Sequence, residues 1–172
     1  MDWLVIPEEY LNYLRNTEKH IPLSDYGKDK YKPFFGALFE VGDLVYVTQI
    51  SHPQPRHQTM KNNLDFKKVY HPTDNRLIAV INLNYMFPIP KSLYKILQYK
   101  DIELYRTFSN SVEKSKYIDL LKTELSVIAS MNLGVAARKI YENKYSNPSS
   151  FLAQRCLDYK MLEQMAKDYL KD

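Results

Sequence analysis

Apolar and polar positions change their rhythm near Pro90. Before it, short apolar runs alternate with turn residues, as strands do. After it, apolar positions recur every three or four residues almost to the end, as in helices that face a core. Residues 3–6 read as a strand, and Pro7, Glu8 and Glu9 then open a helix with Tyr10, Leu11 and Leu14 on its apolar face. A first-turn proline loses no helical hydrogen bond, and two acids suit the positive end of the helix dipole. Residues 21–33 form a polar loop. Residues 34–41 and 44–50 predict a hairpin through Gly42 and Asp43, and residues 66–70 and 77–83 predict two more strands around a turn at 71–75. Pro53 and Pro55 exclude a regular strand from residues 51–63.

Residues 82–90 read as a strand end turning through Pro88 and Pro90. Residues 91–100 predict a short helix. Tyr117, Leu120, Leu121, Leu125 and Ile128 form one helical stripe, which Gly134 ends or kinks. Asn147 and Pro148 predict the start of the last helix, whose buried face is Leu152, Cys156, Tyr159, Leu162, Met165, Ala166 and Tyr169. No internal repeat or low-complexity tract is visible. A sheet needs helices to cover it. The β-rich part (1–90) and the helical part (91–172) are therefore expected to form a single α+β domain over residues 1–172.

Composition narrows the chemistry. Only 4 of the 172 residues are glycine, and neither a Walker pattern nor G-x-G-x-x-G occurs, which argues against a glycine-rich phosphate loop. The one cysteine, Cys156, excludes an internal disulfide and a cysteine-based zinc site, and fits a reducing compartment. Lysine and arginine number 24 against 20 acids, a net charge of +4 that permits a nucleic-acid partner without demanding one. The 15 tyrosines suit half-buried packing or the stacking of bases. No run approaches a membrane span and the first residues lack a basic leader, so a cytoplasmic protein with no membrane partner is expected.

The richest stretch is Ser51-His52-Pro53-Gln54-Pro55-Arg56-His57, where an apolar strand runs straight into a hydroxyl, two imidazoles and a guanidinium. A loop rooted in a sheet is a common seat for function. Arg56 can grip a phosphate with two parallel hydrogen bonds, and either histidine can move a proton near neutral pH. The same residues also suit a proline-rich surface turn. Lys28, Lys30 and Lys32 alternate with Asp29 and Tyr31, which suits a solvated loop or a phosphate-contacting patch with a stacking ring. The four histidines are scattered, without H-E-x-x-H, and Ser51 lacks the G-x-S-x-G elbow. Neither a metal nor a cofactor is expected.

In order and spacing, several pieces together resemble the ToxN/AbiQ family of type III toxin–antitoxin and phage abortive-infection endoribonucleases. They are Tyr10-Leu11-Asn12-Tyr13-Leu14-Arg15, Lys32-Pro33-Phe34-Phe35-Gly36, Ser51-x-Pro53, residues 81–90 and the helix starting at Tyr117. The resemblance implies a compact, barrel-like antiparallel sheet surrounded by helices, similar to the Kid/MazF toxins. It also implies metal-independent RNA cleavage leaving a 2′,3′-cyclic phosphate, and a repeat-derived RNA antitoxin that the toxin processes and that inhibits it. A ring-like toxin–RNA hetero-oligomer is one assembly such a partner allows. Family functional positions match at Tyr10, Lys32 and Ser51. Many relatives read Thr-Ser-Pro-Lys where this chain has Ile50-Ser51-His52-Pro53-Gln54, so a basic role passes to Arg56, His57 or Lys32. An aromatic on the relatives' helix is Lys122 here.

The resulting expectation is an endoribonuclease acting on cellular or phage RNA. Ser51 orients the 2′-hydroxyl or scissile phosphate, Lys32 and Arg56 stabilise charge, and His57 or else His52 moves protons. Tyr10, Lys28, Lys30, Tyr31, His52 and Gln54 are expected to contact RNA. The rivals are a non-catalytic RNA-binding module and an interaction protein that touches no nucleic acid. Salt dependence separates RNA binders from the last, and cleavage separates the first two.

Overall fold

The computed structural model describes residues 1–27 and 29–171. Its spine is β4 (Leu44–Ser51). One edge of β4 carries β3 (Glu40–Val41) and then β2 (Phe34–Gly36). The other edge carries β7 (Phe87–Pro90) against its first half and β6 (Leu77–Asn82) against its last two residues. β6 continues to β5 (Phe66–Tyr70), and β2 continues to β1 (Asp2–Val5) and β8 (Lys95–Ile96). Every pairing is antiparallel. The path β5-β6-β4-β2-β1-β8 does not close, so the sheet is open.

Local chemistry explains where the elements depart from the sequence pattern. The segment expected as one strand over 34–41 breaks into β2 and β3. Leu38 N–H reaches Tyr46 O, and Tyr46 N–H reaches Phe39 O across the break. Residues 87–90, expected to turn, form a strand instead. Pro88 and Pro90 are tolerated because β7 pairs with β4 along one side. The helix expected over 91–100 is absent: the segment holds β8 and a 3₁₀ turn at Tyr99–Leu104. Lys95 and Ile96 pair with Val5 and Leu4 of β1, and Leu97 N–H donates to Trp3 O at 2.8 Å, so the backbone bonds of this segment go to the sheet and not to a helix.

The helices are α1 (Glu8–Arg15), α2 (Ser111–Ser130), α3 (Leu133–Ser146), α4 (Phe151–Arg155) and α5 (Tyr159–Tyr169). Gly134 lies in the first turn of α3, where a β-carbon would run into the Leu38 carbonyl, so glycine permits the close approach of helix to sheet. Ser150 and Asp158 cap α4 and α5, whereas Asn147 ends α3. The expected last helix is therefore two, with the break at Cys156–Asp158. One apolar core runs from Trp3 to Ala166 and joins the sheet to α1, α2, α3 and α5. The Trp3 indole N–H donates to the Leu121 carbonyl at 2.9 Å and fastens α2 to β1. Among the described residues no single helix is long and apolar enough to cross a membrane.

Candidate active site

Ser51 is the last residue of β4 and pairs with Val80 of β6, so its backbone is held while its side chain stands at the sheet's end. Two residues earlier, the buried Gln49 turns its amide toward the preceding loop. Its Nε2 donates to Leu23 O and Lys32 O, each at 2.9 Å. Lys32 N–H bonds back to Ser24 O at 2.8 Å. These bonds draw the loop against β4 and set Lys32 beside Ser51.

A cavity of about 230 Å³ opens there. Lys32, Ser51 and His52 line it, as do Tyr31, Arg106 and Glu124. Its apolar wall is Ile50, Ile78, Leu120 and Leu121. Lys32 Nζ lies 5.1 Å from the centre of the Tyr26 ring. The Arg106 guanidinium stacks 4.1 Å over the Tyr117 ring, whose hydroxyl donates to Tyr31 O at 3.0 Å. Arg106 Nε and the Tyr31 hydroxyl are buried without a hydrogen-bond partner among the described residues. Glu124 is 3% exposed, and no hydrogen bond to its carboxyl is found among the described residues. Burial pushes its pKa up to about 8. Buried polar groups are normally paired, so the unpaired Arg106 Nε and the unbonded Glu124 carboxyl beside one cavity call for a reason.

Ser51 also lines a second depression on its other side, with Arg15, His20, Tyr26 and Tyr85. The His20 and Tyr85 rings stack there at 6.1 Å. Ser51 thus stands between two basic, ring-bearing hollows. A single strand of RNA binds such surfaces by phosphate contacts and base stacking.

The structure gathers some of the expected residues and separates others. Lys32, Ser51, His52 and Tyr31 meet at the first cavity. Arg56, Gln54 and His57 do not line either hollow. His57 sits in a 3₁₀ turn at Pro55–Gln58, is 5% exposed and packs against Phe66. Its Nδ1 accepts the Gln54 backbone N–H at 2.9 Å. Burial, then the charges of Arg56 and Lys68, lower its pKa and favour the neutral ring. Arg56 and Gln54 are exposed on that turn. Tyr10, expected to touch RNA, is a core residue: it is 0% exposed and donates to Pro88 O at 2.8 Å. The apolar stripe of α1 that carries Tyr10 turns it inward. Tyr31 is also buried, stacked on Tyr105, and reaches the cavity only as part of its wall. Lys30 is exposed on the loop, and Lys28 lies outside the described residues. Lys122 is exposed, over the Tyr99 ring.

Glu124 and Arg106 are not among the residues expected from the sequence. A signal for Glu124 was present. Tyr117, Leu121, Glu124 and Ile128 share one helical face, so a carboxyl occupies a position that should be apolar. Arg106 lies outside any regular element and carried no such signal.

Comparison with known proteins gives one family and several structures. The family model described as Toxin ToxN, type III toxin-antitoxin system, matches residues 3–167. No curated protein matches by sequence. One similar solved structure comes from a bacterial antiviral system regulated by a processed non-coding RNA, with 18% identity, a TM-score of 0.78 and 98% of each chain covered. A second comes from type III toxin–antitoxin systems in which a non-coding RNA pseudoknot selectively inhibits the toxin. It has 19% identity, a TM-score of 0.79, and covers 99% of this chain and 98% of that one. A third is AbiQ, a lactococcal anti-phage endoribonuclease of the type III toxin–antitoxin system, at 16% identity, a TM-score of 0.79 and the same coverage. At these identities the structures establish a shared fold.

Proposed function

The chain belongs to the ToxN family of type III toxin–antitoxin toxins, and from that premise we propose that it is a metal-independent endoribonuclease held in check by its own repeat-derived RNA. The observation that carries the reading is Ser51, fixed at the end of β4 between two basic hollows, with Lys32 and Arg106 on one side and Arg15 on the other. The AbiQ likeness supports the activity, and the likeness to a toxin inhibited by an RNA pseudoknot supports the inhibitor.

RNA supplies its own nucleophile. The 2′-hydroxyl attacks the adjacent phosphorus, the bond to the 5′-oxygen breaks, and a 2′,3′-cyclic phosphate remains. A serine hydroxyl does not ionise near pH 7, so Ser51 orients the 2′-hydroxyl or the phosphate by a hydrogen bond. Lys32 and Arg106 stabilise charge on the phosphate oxygens. His52, exposed at the cavity rim, takes the proton of the 2′-hydroxyl. All these tasks lie within the chain's own side chains, so no metal is required.

The same hollows hold the antitoxin. A folded RNA, cut from a repeat, occupies the phosphate and stacking contacts that substrate needs and so competes with it. This action suits a cytoplasmic protein meeting cellular or phage RNA, alone or in a closed toxin–RNA assembly. Purified protein incubated with RNA in excess EDTA tests the reading: the wild type should cut and leave cyclic phosphate ends. RNA bound but left intact, or cutting that returns only with a divalent metal, would overturn it.

A further inference from the structure

Any cleavage that expels the 5′-oxygen must protonate it, and the candidate bases and cations above leave that task unassigned. Glu124 has three properties that suit it. It comes from the middle of α2, which Trp3 anchors to β1, so its position is fixed. It lines the cavity that Ser51, Lys32 and His52 also line. It is buried yet has no hydrogen-bond partner among the described residues, which leaves it free to engage a substrate oxygen.

We propose that Glu124 is the proton donor to the 5′-oxygen that leaves when RNA is cut. This rests on the endoribonuclease reading and adds a catalytic residue to it. In the step, the 2′-oxygen gives its proton to the His52 ring and forms a bond to phosphorus. The bond from phosphorus to the 5′-oxygen breaks, and that oxygen takes the proton of the Glu124 carboxyl. Glu124 is left as carboxylate and His52 as imidazolium, and exchange with water resets both.

The surroundings keep the acid protonated. The other titratable or charged residues lining the same cavity are Tyr31, Lys32, His52, Arg106 and Tyr117. Three of these can carry positive charge and would favour the carboxylate. Yet the wall around them is apolar and burial prevails, with the pKa of Glu124 pushed up to about 8. β5 also packs against α2, and its charged residues are Lys67 and Lys68, the latter with its ammonium on Gln58 O at 2.9 Å. β1 adds only the exposed Asp2. An acid with its pKa near the working pH is protonated often enough to donate and acidic enough to do so readily.

The test uses the full chain, two RNA substrates and single-turnover rates between pH 5 and 9.5. One substrate is ordinary RNA. The other carries a bridging sulfur in place of the 5′-oxygen at the cut, and a thiolate leaves without being protonated. On ordinary RNA, Glu124→Gln should be roughly 10²-fold slower than wild type and should lack the fall in rate that wild type shows as pH rises through about 8. On the sulfur substrate the two proteins should agree within a few-fold. Equal loss on both substrates, or no loss on ordinary RNA, would overturn the proposal. If Glu124→Gln does not fold, the wild type decides: its alkaline fall should appear with oxygen and vanish with sulfur, and persistence with sulfur would overturn the assignment. Wild-type protein that cuts neither substrate would instead overturn the endoribonuclease reading on which the proposal stands.

Discussion

Two buried glutamates divide the molecule into a closed side and an open side. Glu163 of α5 is 8% exposed, and Glu124 of α2 is 3% exposed. Glu163 accepts the Tyr46 hydroxyl at 2.8 Å inside a cluster of rings in which Tyr46, Tyr141 and Tyr159 touch edge to face or stacked at 5.7–5.8 Å. Burial and the nearby carboxylate raise the pKa of Tyr46, so its hydroxyl stays a donor. Glu124 has no hydrogen-bond partner among the described residues and looks into a cavity with Ser51. Burial alone therefore does not distinguish structure from chemistry. A paired buried carboxyl ties elements together, whereas an unpaired one at a cavity costs stability and is available to a ligand.

The largest effect that sharpens this contrast is on stability against pH. The folded state holds the Glu124 proton up to about pH 8, while the unfolded chain releases it near 4.5. Between those values the folded state binds more protons, so stability must fall as pH rises. At pH 8 the cost is on the order of 4 kcal/mol relative to pH 4.5. Urea melts of wild type and Glu124→Gln at pH 5 and pH 8 should show the variant gaining on the wild type as pH rises. Parallel behaviour of the two would mean that Glu124 finds a partner after all.

Next in size is Lys32→Ala. If Lys32 stabilises phosphate charge, single-turnover cleavage at saturating RNA should fall by roughly 10²-fold. The fold should persist, because the loop is tied through the Lys32 backbone and not its ammonium. Glu163→Leu should do the reverse. It leaves the Tyr46 hydroxyl unpaired and should cost about 1–3 kcal/mol in urea melts, while the folded fraction cuts RNA at the wild-type rate. A cleavage defect beyond the unfolded fraction would join the two sides that the structure separates. The smallest effect belongs to Arg56→Ala. Its side chain is exposed and lines neither hollow, so melting should move by less than about 0.5 kcal/mol and cleavage should barely change.

Local patterning carried much of the fold. The short apolar runs read as strands at 44–50, 66–70 and 77–83, the α1 start at Pro7 and the α2 stripe all depend on near neighbours, and the sequence displays those. What failed depends on distant partners. β7 becomes a strand because β4 offers a free edge to residues that include two prolines, and nothing near Pro88 announces that edge. The site was half legible for the same reason. Ser51 and Lys32 stood out through strand-end placement and family motifs. The sequence favoured His57 over His52 as the proton carrier, but the turn at Pro55–Gln58 buries the first and leaves the second at the cavity rim. Five residues of chain decide that difference through packing against Phe66, a contact that spacing does not encode.

Ser51, at the cavity, and His57, in the turn that follows it, give the most direct test of where the chemistry lies. Single-turnover cleavage and thermal melting should be measured on the same preparations of Ser51→Ala and His57→Ala. Ser51→Ala should lose roughly 10²–10³ in rate and keep its melting temperature, since a hydroxyl at a strand end contributes little to the core. His57→Ala should melt earlier, having lost a buried ring and its bond to Gln54, and its folded fraction should cut at the wild-type rate. Full activity in Ser51→Ala together with lost activity in a well-folded His57→Ala would place the site in the turn and contradict the account.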